Sequence, residues 1–297
     1  MNTMMQSMEN AIDAATGFQP RVKLRLALAE RSVRRGRAMI APTAEIMAAN
    51  IRVAAVIRHM ARSCIIPAAI LLPKKLRTKL TAPIPRPPKL ICVGLNYRDH
   101  AIESNMEIPE VPTIFNKFAT SIIGPGDEIV LPKTSEKPDY EAEFAFIIGK
   151  GGRHIAAGDW KDHVFGYTII NDVSARDYQL RTSQWLMGKT FDTFCPMGPW
   201  IVTADEIEDP HNLDIKMTIN GEVLQNSNTR ELIFRIPDLI AYLSSVMTLE
   251  SGDIVSTGTP AGVGLGHKPP RWLKPGDECV VSISGIGELR NPVVAEA

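Results

Sequence analysis

Four prolines in eight residues, Thr81-Ala-Pro-Ile-Pro-Arg-Pro-Pro88, set the strongest constraint on how this chain folds. Proline has no N–H to donate and its ring fixes φ, so neither a helix nor a central strand runs through such a segment. The texture differs on its two sides. Upstream, residues 22–37 and 44–62 are rich in Ala, Arg, Leu and Met and, apart from Gly36, free of Gly and Pro, which predicts two helices. Downstream, short apolar runs alternate with turn signals. We therefore place a domain boundary in the proline run, with residues 1–84 as a helical N-terminal segment and linker and residues 85–297 as a second domain.

In the second domain, residues 90–93, 128–131, 254–257 and 278–283 read as strands, and residues 215–225 with Asn220-Gly221 at their centre read as a hairpin. Pro237 opens a predicted helix over residues 238–249 whose buried stripe is Leu239, Ile240, Leu243, Val246 and Met247. Many strands, few helices and frequent glycine turns predict an α+β body built on a mixed sheet rather than a doubly wound one.

Charge narrows the function classes. With 33 basic and 33 acidic residues the net charge is zero, which argues against a general affinity for nucleic acid or membrane surfaces. The cysteines, Cys64, Cys92, Cys195 and Cys279, lie far apart with no CxxC pair, so they read as buried thiols in a reducing compartment, and a cytoplasmic location is expected. No stretch reaches the roughly 18 uninterrupted apolar residues of a membrane span. Up to residue 40 the chain carries Arg21, Lys23, Arg25, Arg31, Arg34, Arg35 and Arg37 against Glu9, Asp13 and Glu30. That bias fits a basic helical arm, or a transit segment leading to the mitochondrial matrix.

The acidic groups that look placed for chemistry lie between residues 139 and 177. Glu141 and Glu143 open the apolar run Phe144-Ala-Phe-Ile-Ile148, and on a strand two such side chains share a face. Adjacent carboxylates repel unless a cation lies between them. Asp172, ending the apolar segment 164–170, supplies a third oxygen donor, a set suited to Mg²⁺ or Mn²⁺. The plainer reading is a solvated strand face. His100, with Glu103 one helical turn away, is the best acid–base candidate, against a lone surface histidine as the plainer reading. Lys189, among aromatics in Gly188-Lys-Thr-Phe-Asp-Thr-Phe194, could meet a substrate anion; the upstream glycine of a phosphate loop is missing. The loop Ser256-Thr-Gly-Thr-Pro-Ala-Gly-Val-Gly264 offers the Thr257 and Thr259 hydroxyls and exposed N–H groups to a carboxylate, or is an ordinary glycine-rich turn. No GxSxG elbow and no GxGxxG after a strand is present, which removes serine-hydrolase and dehydrogenase readings.

Taken together, GLNYRDHAIE (94–103), DYEAEFAFIIGK (139–150), INDVSARDYQ (170–179), GKTFDTFCPMGPW (188–200) and GDIVSTGTPAGVG (252–264) resemble the fumarylacetoacetate hydrolase superfamily, in order and over residues 88–293. The wording GKTFDTFCP is most similar to the branch that includes an oxaloacetate keto–enol tautomerase. The resemblance implies a rolled mixed β-sheet fold, a Mg²⁺ or Mn²⁺ ion and a homodimer. It implies Glu141, Glu143 and Asp172 as metal ligands, His100 and Glu103 as a catalytic pair on a lid-like segment, and Lys189 as the active-site lysine. Arg176, Gln179 and Thr257 match substrate-contacting positions, while Leu95 stands where acylpyruvases of the family carry arginine.

These readings converge on a small 2-oxo acid substrate, bound through its carboxylate and 2-oxo oxygens to a cation that stabilises the enolate, with His100 moving protons. Oxaloacetate tautomerisation or a related isomerisation is the expected reaction. Acylpyruvate or fumarylacetoacetate hydrolysis and oxaloacetate decarboxylation are the alternatives, and an inactive metal-binding paralogue is the non-enzymatic one.

Overall fold

The segment Ala142–Ile148 is buried at all of its positions, which a strand achieves only when both of its faces are covered. In the computed structural model, which describes residues 79–297, it lies fourth in a seven-stranded sheet. Numbered in chain order and taken from one edge of that sheet to the other, the strands are β2 (Thr113–Asn116), β1 (Leu90–Gly94), β12 (Ile254–Ser256), β6 (Ala142–Ile148), β7 (Val164–Asn171), β9 (Cys195–Thr203) and β3 (Ile122–Ile123). A five-stranded sheet follows as β11 (Glu222–Asn228), β10 (Asp214–Ile219), β13 (Glu278–Ile283), β14 (Gly287–Ala295) and β4 (Ile129–Leu131). The pair β5 (Pro138–Asp139) and β8 (Ser174–Ala175) completes the strands.

Both large sheets are mixed: β1–β12, β3–β9 and β14–β4 run parallel, and the other pairs antiparallel. The sheets pack face to face, β10 on β6 and β13 and β14 on β7, and enclose the main core, while alternate residues of the central strands, such as Ala145, Ile147 and Ile170, form a second cluster on the other face. Within it Phe144 stacks on Tyr167 with ring centroids 5.3 Å apart. The expected hairpin is β10–β11, turned by Asn220 and Gly221 at φ 53° and 84°, the left-handed pair that a two-residue turn of this type demands.

Helices are short, as expected of an α+β body: α1 (Arg98–Glu103), α2 (Trp160–His163), α3 (Arg176–Gln179), α4 (Leu186–Lys189) and α5 (Ile236–Val246). In α5, Pro237 occupies the first turn and Asp238 accepts from the Arg235 N–H at 2.9 Å. Leu239, Ile240 and Leu243 are buried as expected, but Val246 is 64% exposed. The helix ends at Val246, and the inward position of the last turn goes to Ser244, whose hydroxyl accepts from the Ile155 N–H at 2.9 Å.

The two helices expected upstream of the proline run, and the basic arm or transit segment, lie outside the described residues, as does Cys64. Ala82 and Ile84, inside the proline run, are buried with Leu90 and Cys92. Cys92, Cys195 and Cys279 are buried free thiols, as read from the sequence. Among the described residues no helix is long and apolar enough to cross a membrane.

The corrected stripe makes a paired expectation. Leu239→Ala, which empties a fully buried position, lowers stability by about 2–5 kcal/mol, whereas Val246→Ala stays within about 0.5 kcal/mol. Urea unfolding midpoints of the two variants check both.

Candidate active site

Strand pairing assembles the acidic cluster. Ala142 pairs with Asn171 across β6 and β7, and the Asp172 N–H donates to the Glu141 carbonyl at 2.9 Å, so the end of β7 is laid beside the start of β6. Carboxylate oxygens of Glu141, Glu143 and Asp172 thereby lie within 4.8 Å of one another. All three residues are buried, which overturns the solvated-face reading.

Burial of like charges demands compensation, and three cationic side chains supply it. Lys189, on α4, donates to Glu141 Oε2 at 2.7 Å and to Asp172 Oδ2 at 2.8 Å. Lys117, just past β2, donates to Asp172 Oδ1 at 2.5 Å and to the Val173 carbonyl at 3.0 Å. Arg176, on α3, reaches Asp139 Oδ2 at 2.8 Å and Glu141 Oε1 at 2.7 Å, while its Nη2 has no hydrogen-bond partner among the described residues. Asp139 is fixed by the N–H groups of Gly264 and Leu265 at 2.7 and 3.0 Å.

The protonation balance follows from these neighbours. Burial raises the Glu141 carboxyl, but the Lys189 ammonium and the Arg176 guanidinium outweigh it and leave the group lowered. Glu143 has no ion-pair partner among the described residues; burial and then the charges of Asp172 and Glu141 push it up to about 8. Its Oε2 accepts from the Ser256 hydroxyl at 2.5 Å and from the Gly258 N–H at 3.1 Å. Burial lowers Lys189, yet Asp172 and Glu141 more than offset this and its ammonium is held above its ordinary value.

A cavity of about 400 Å³ opens over the cluster, lined by Glu141, Glu143, Arg176, Gln179 and Lys189, and also by His100 and Glu103. His100 Nδ1 is 3.1 Å from Glu103 Oε2, and Glu103 Oε1 accepts from the Gly262 N–H at 2.9 Å. Burial raises the Glu103 carboxyl, but these two hydrogen bonds prevail and keep it below its usual value. In the neutral form of the ring, an ionised Glu103 accepts from Nδ1–H and the lone pair then lies on Nε2. The pair sits on α1, whose Asp99 accepts from the Ser227 hydroxyl and whose Arg98 donates to the Leu232 carbonyl at 3.0 Å.

Seven of the nine singled-out residues thus line one cavity, and an eighth, Asp172, stands behind them, held by Lys117 and Lys189. The ninth, Thr257, is elsewhere: its hydroxyl donates to the Phe144 carbonyl at 2.8 Å, and Thr259 lines the cavity in its place. Gln179 Oε1 accepts from Arg176 Nη1 at 2.8 Å. Sequence reading passed over Lys117, Asp139 and the wall formed by Phe115 and Trp185, whose rings meet edge to face at 5.6 Å. Asp139 carried a signal, standing two residues before Glu141, whereas Lys117 carried none.

Comparison with known proteins fits this arrangement. The family model described as fumarylacetoacetate (FAA) hydrolase C-terminal matches residues 89–294. The chain is 54% identical over 217 residues to the protein named oxaloacetate tautomerase fahd2, mitochondrial, of Xenopus laevis, covering 72% of this chain and 68% of that one. It is 52% identical over 227 residues to oxaloacetate tautomerase FAHD2A, mitochondrial, of Homo sapiens, covering 75% and 72%. Among solved structures, the fumarylacetoacetate hydrolase of Exiguobacterium antarcticum superposes with a TM-score of 0.69 at 40% identity, covering 81% of this chain and 88% of that one. The 5-carboxymethyl-2-hydroxymuconate delta-isomerase of Mycobacterium smegmatis superposes at 0.66 with 43% identity, covering 74% and 83%. The chain belongs to the fumarylacetoacetate hydrolase superfamily and is one of its enzymes.

Proposed function

We propose that this enzyme is an oxaloacetate keto–enol tautomerase that works with a divalent cation, Mg²⁺ or Mn²⁺, held by Glu141, Glu143 and Asp172. The observation that supports the reading is a buried carboxylate triad, two of whose members line the same cavity as a separate His–Glu pair. The donor set fits a hard divalent ion: four carboxylates (Asp139, Glu141, Glu143, Asp172) face three cations (Lys117, Arg176, Lys189), so the cluster carries an uncompensated negative charge when all are ionised.

When bound, the cation supplies Lewis acidity that polarises the substrate's 2-oxo group. Arg176 Nη2, buried without a partner among the described residues, is the donor available to the substrate's C1 carboxylate. Lys189 places positive charge beside the oxygen on which negative charge develops. His100 Nε2 takes a proton from C3 and returns one to the 2-oxo oxygen, and Glu103 keeps the ring in the tautomer that this needs. The relatives' names favour tautomerisation over hydrolysis. Leu95, in the cavity wall, removes the arginine expected of an acylpyruvase. The same names, with the Arg-rich start of the chain, favour a mitochondrial location over the cytoplasmic one expected from the cysteines. A homodimer, and a catalytic domain over residues 85–297, complete the proposal.

Three measurements test it, and a fourth probes the charge network around the site. The enol absorbance of oxaloacetate relaxes faster with enzyme and Mg²⁺ while pyruvate release and acylpyruvate cleavage stay at background. Glu143→Gln removes that acceleration by more than the roughly 10–100-fold that loss of an outer-shell partner costs, with the circular-dichroism spectrum kept; full activity in this variant sinks the cation assignment. Because Glu143 is pushed up to about 8, a cation binding below that pH must displace a proton. Mg²⁺ affinity therefore rises with pH and levels off above about 8, with proton release seen calorimetrically in buffers of different ionisation enthalpy. Lys117→Met, which leaves a buried Asp172 oxygen without its donor, lowers stability by about 3–5 kcal/mol in urea unfolding.

A further inference from the structure

The proposed chemistry occupies C1 to C3 of a 2-oxo diacid and leaves its distal carboxylate without a partner. We infer that Lys268 receives it, an inference that rests on the proposed tautomerase reading. Besides His100, the cations lining the cavity are Arg176, Lys189 and Lys268. Arg176 and Lys189 are buried and engaged by Asp139, Glu141 and Asp172. Lys268 is exposed at the rim and has no carboxylate partner among the described residues.

Its position along the cavity suits the role. The loop before it folds against the His100–Glu103 pair: Gly262 donates its N–H to Glu103, and a Cβ on Gly266 would stand 2.7 Å from the Glu103 carboxylate. Only glycine permits so close an approach of main chain to that carboxylate. Lys268 follows two residues later, so it borders the cavity on the side of the proton-transferring pair, whereas the carboxylate triad lies deeper. A four-carbon diacid laid from triad to rim meets the triad with C1 and C2, His100 with C3 and the Lys268 ammonium with its distal carboxylate. Leu95 and Leu180, which also line the cavity, have apolar side chains with no donor to compete for that carboxylate. Lys268 is thus a specificity-determining residue, selecting a charged distal end, and takes no part in proton transfer.

The test compares oxaloacetate with its 4-methyl ester, which lacks the distal charge and carries one added methyl group, on the Mg²⁺-loaded wild type and on Lys268→Met and Lys268→Arg. An exposed ion pair contributes up to about 1 kcal/mol, or about fivefold. Lys268→Met therefore raises KM for oxaloacetate about fivefold, with the loss falling on KM rather than kcat, and leaves KM for the ester unchanged. Lys268→Arg restores the diacid preference, and added salt narrows the gap. An unchanged KM for oxaloacetate in Lys268→Met, or an equal rise for diacid and ester, overturns the assignment. Should the wild type not accelerate tautomerisation, the parent reading fails first. Calorimetric binding of the two compounds to wild type and Lys268→Met then still decides: a diacid preference lost in the variant supports the contact, and equal affinities overturn it.

Discussion

Asp172 is gripped by two buried ammonium groups, Lys117 on one oxygen and Lys189 on the other, and the arrangement of the rest depends on that grip. Moving an ion out of water costs several kcal/mol even after relaxation, so each carboxylate here is tolerable only as a member of a hydrogen-bonded network. The network draws on the end of β2, the start of β6, the end of β7, α3 and α4. Those elements are scattered along the chain and meet only through the strand order of the seven-stranded sheet. The sheet is held as a unit by apolar burial, and the charges set how its ends must converge.

The two chemical parts of the cavity are built differently. The carboxylate cluster is buried and joined to the strands, while His100 and Glu103 sit on the single short helix α1, with side chains 14% and 22% exposed. Such a helix makes few internal hydrogen bonds and depends on its tethers to Ser227, Leu232 and Gly262 for its place. Under the proposed function this pairs a rigid floor with a lightly anchored proton carrier, so that substrate enters without disturbing the charge network.

Much of this was legible in the residues. Apolar runs marked β1, β6, β12 and β13, Asn220-Gly221 marked the hairpin, and two-residue spacing put Glu141 and Glu143 together, because these are local properties of a strand. What escaped depended on non-local contacts. Lys117 looks like any lysine after a strand; its burial comes from Asp172, 55 residues further on. Thr257 and Thr259 offer the same hydroxyl two residues apart, and Gly258 at φ 98° between them re-aims the chain so that Thr257 bonds the Phe144 carbonyl and Thr259 reaches the cavity. Val246 fits the helical period, but the helix stops before that turn can press on the core.

Burial of β6 on both faces has an evolutionary corollary. A strand packed between two layers at every position cannot shift without disturbing neighbours on each side, so the carboxylates at its start are among the least adjustable features of the molecule. Leu95, Leu180 and Lys268 belong to loops at the cavity mouth and carry little of the core. Under the proposed function, substitutions there change which acid is admitted at small cost in stability, while the floor stays as the strands build it.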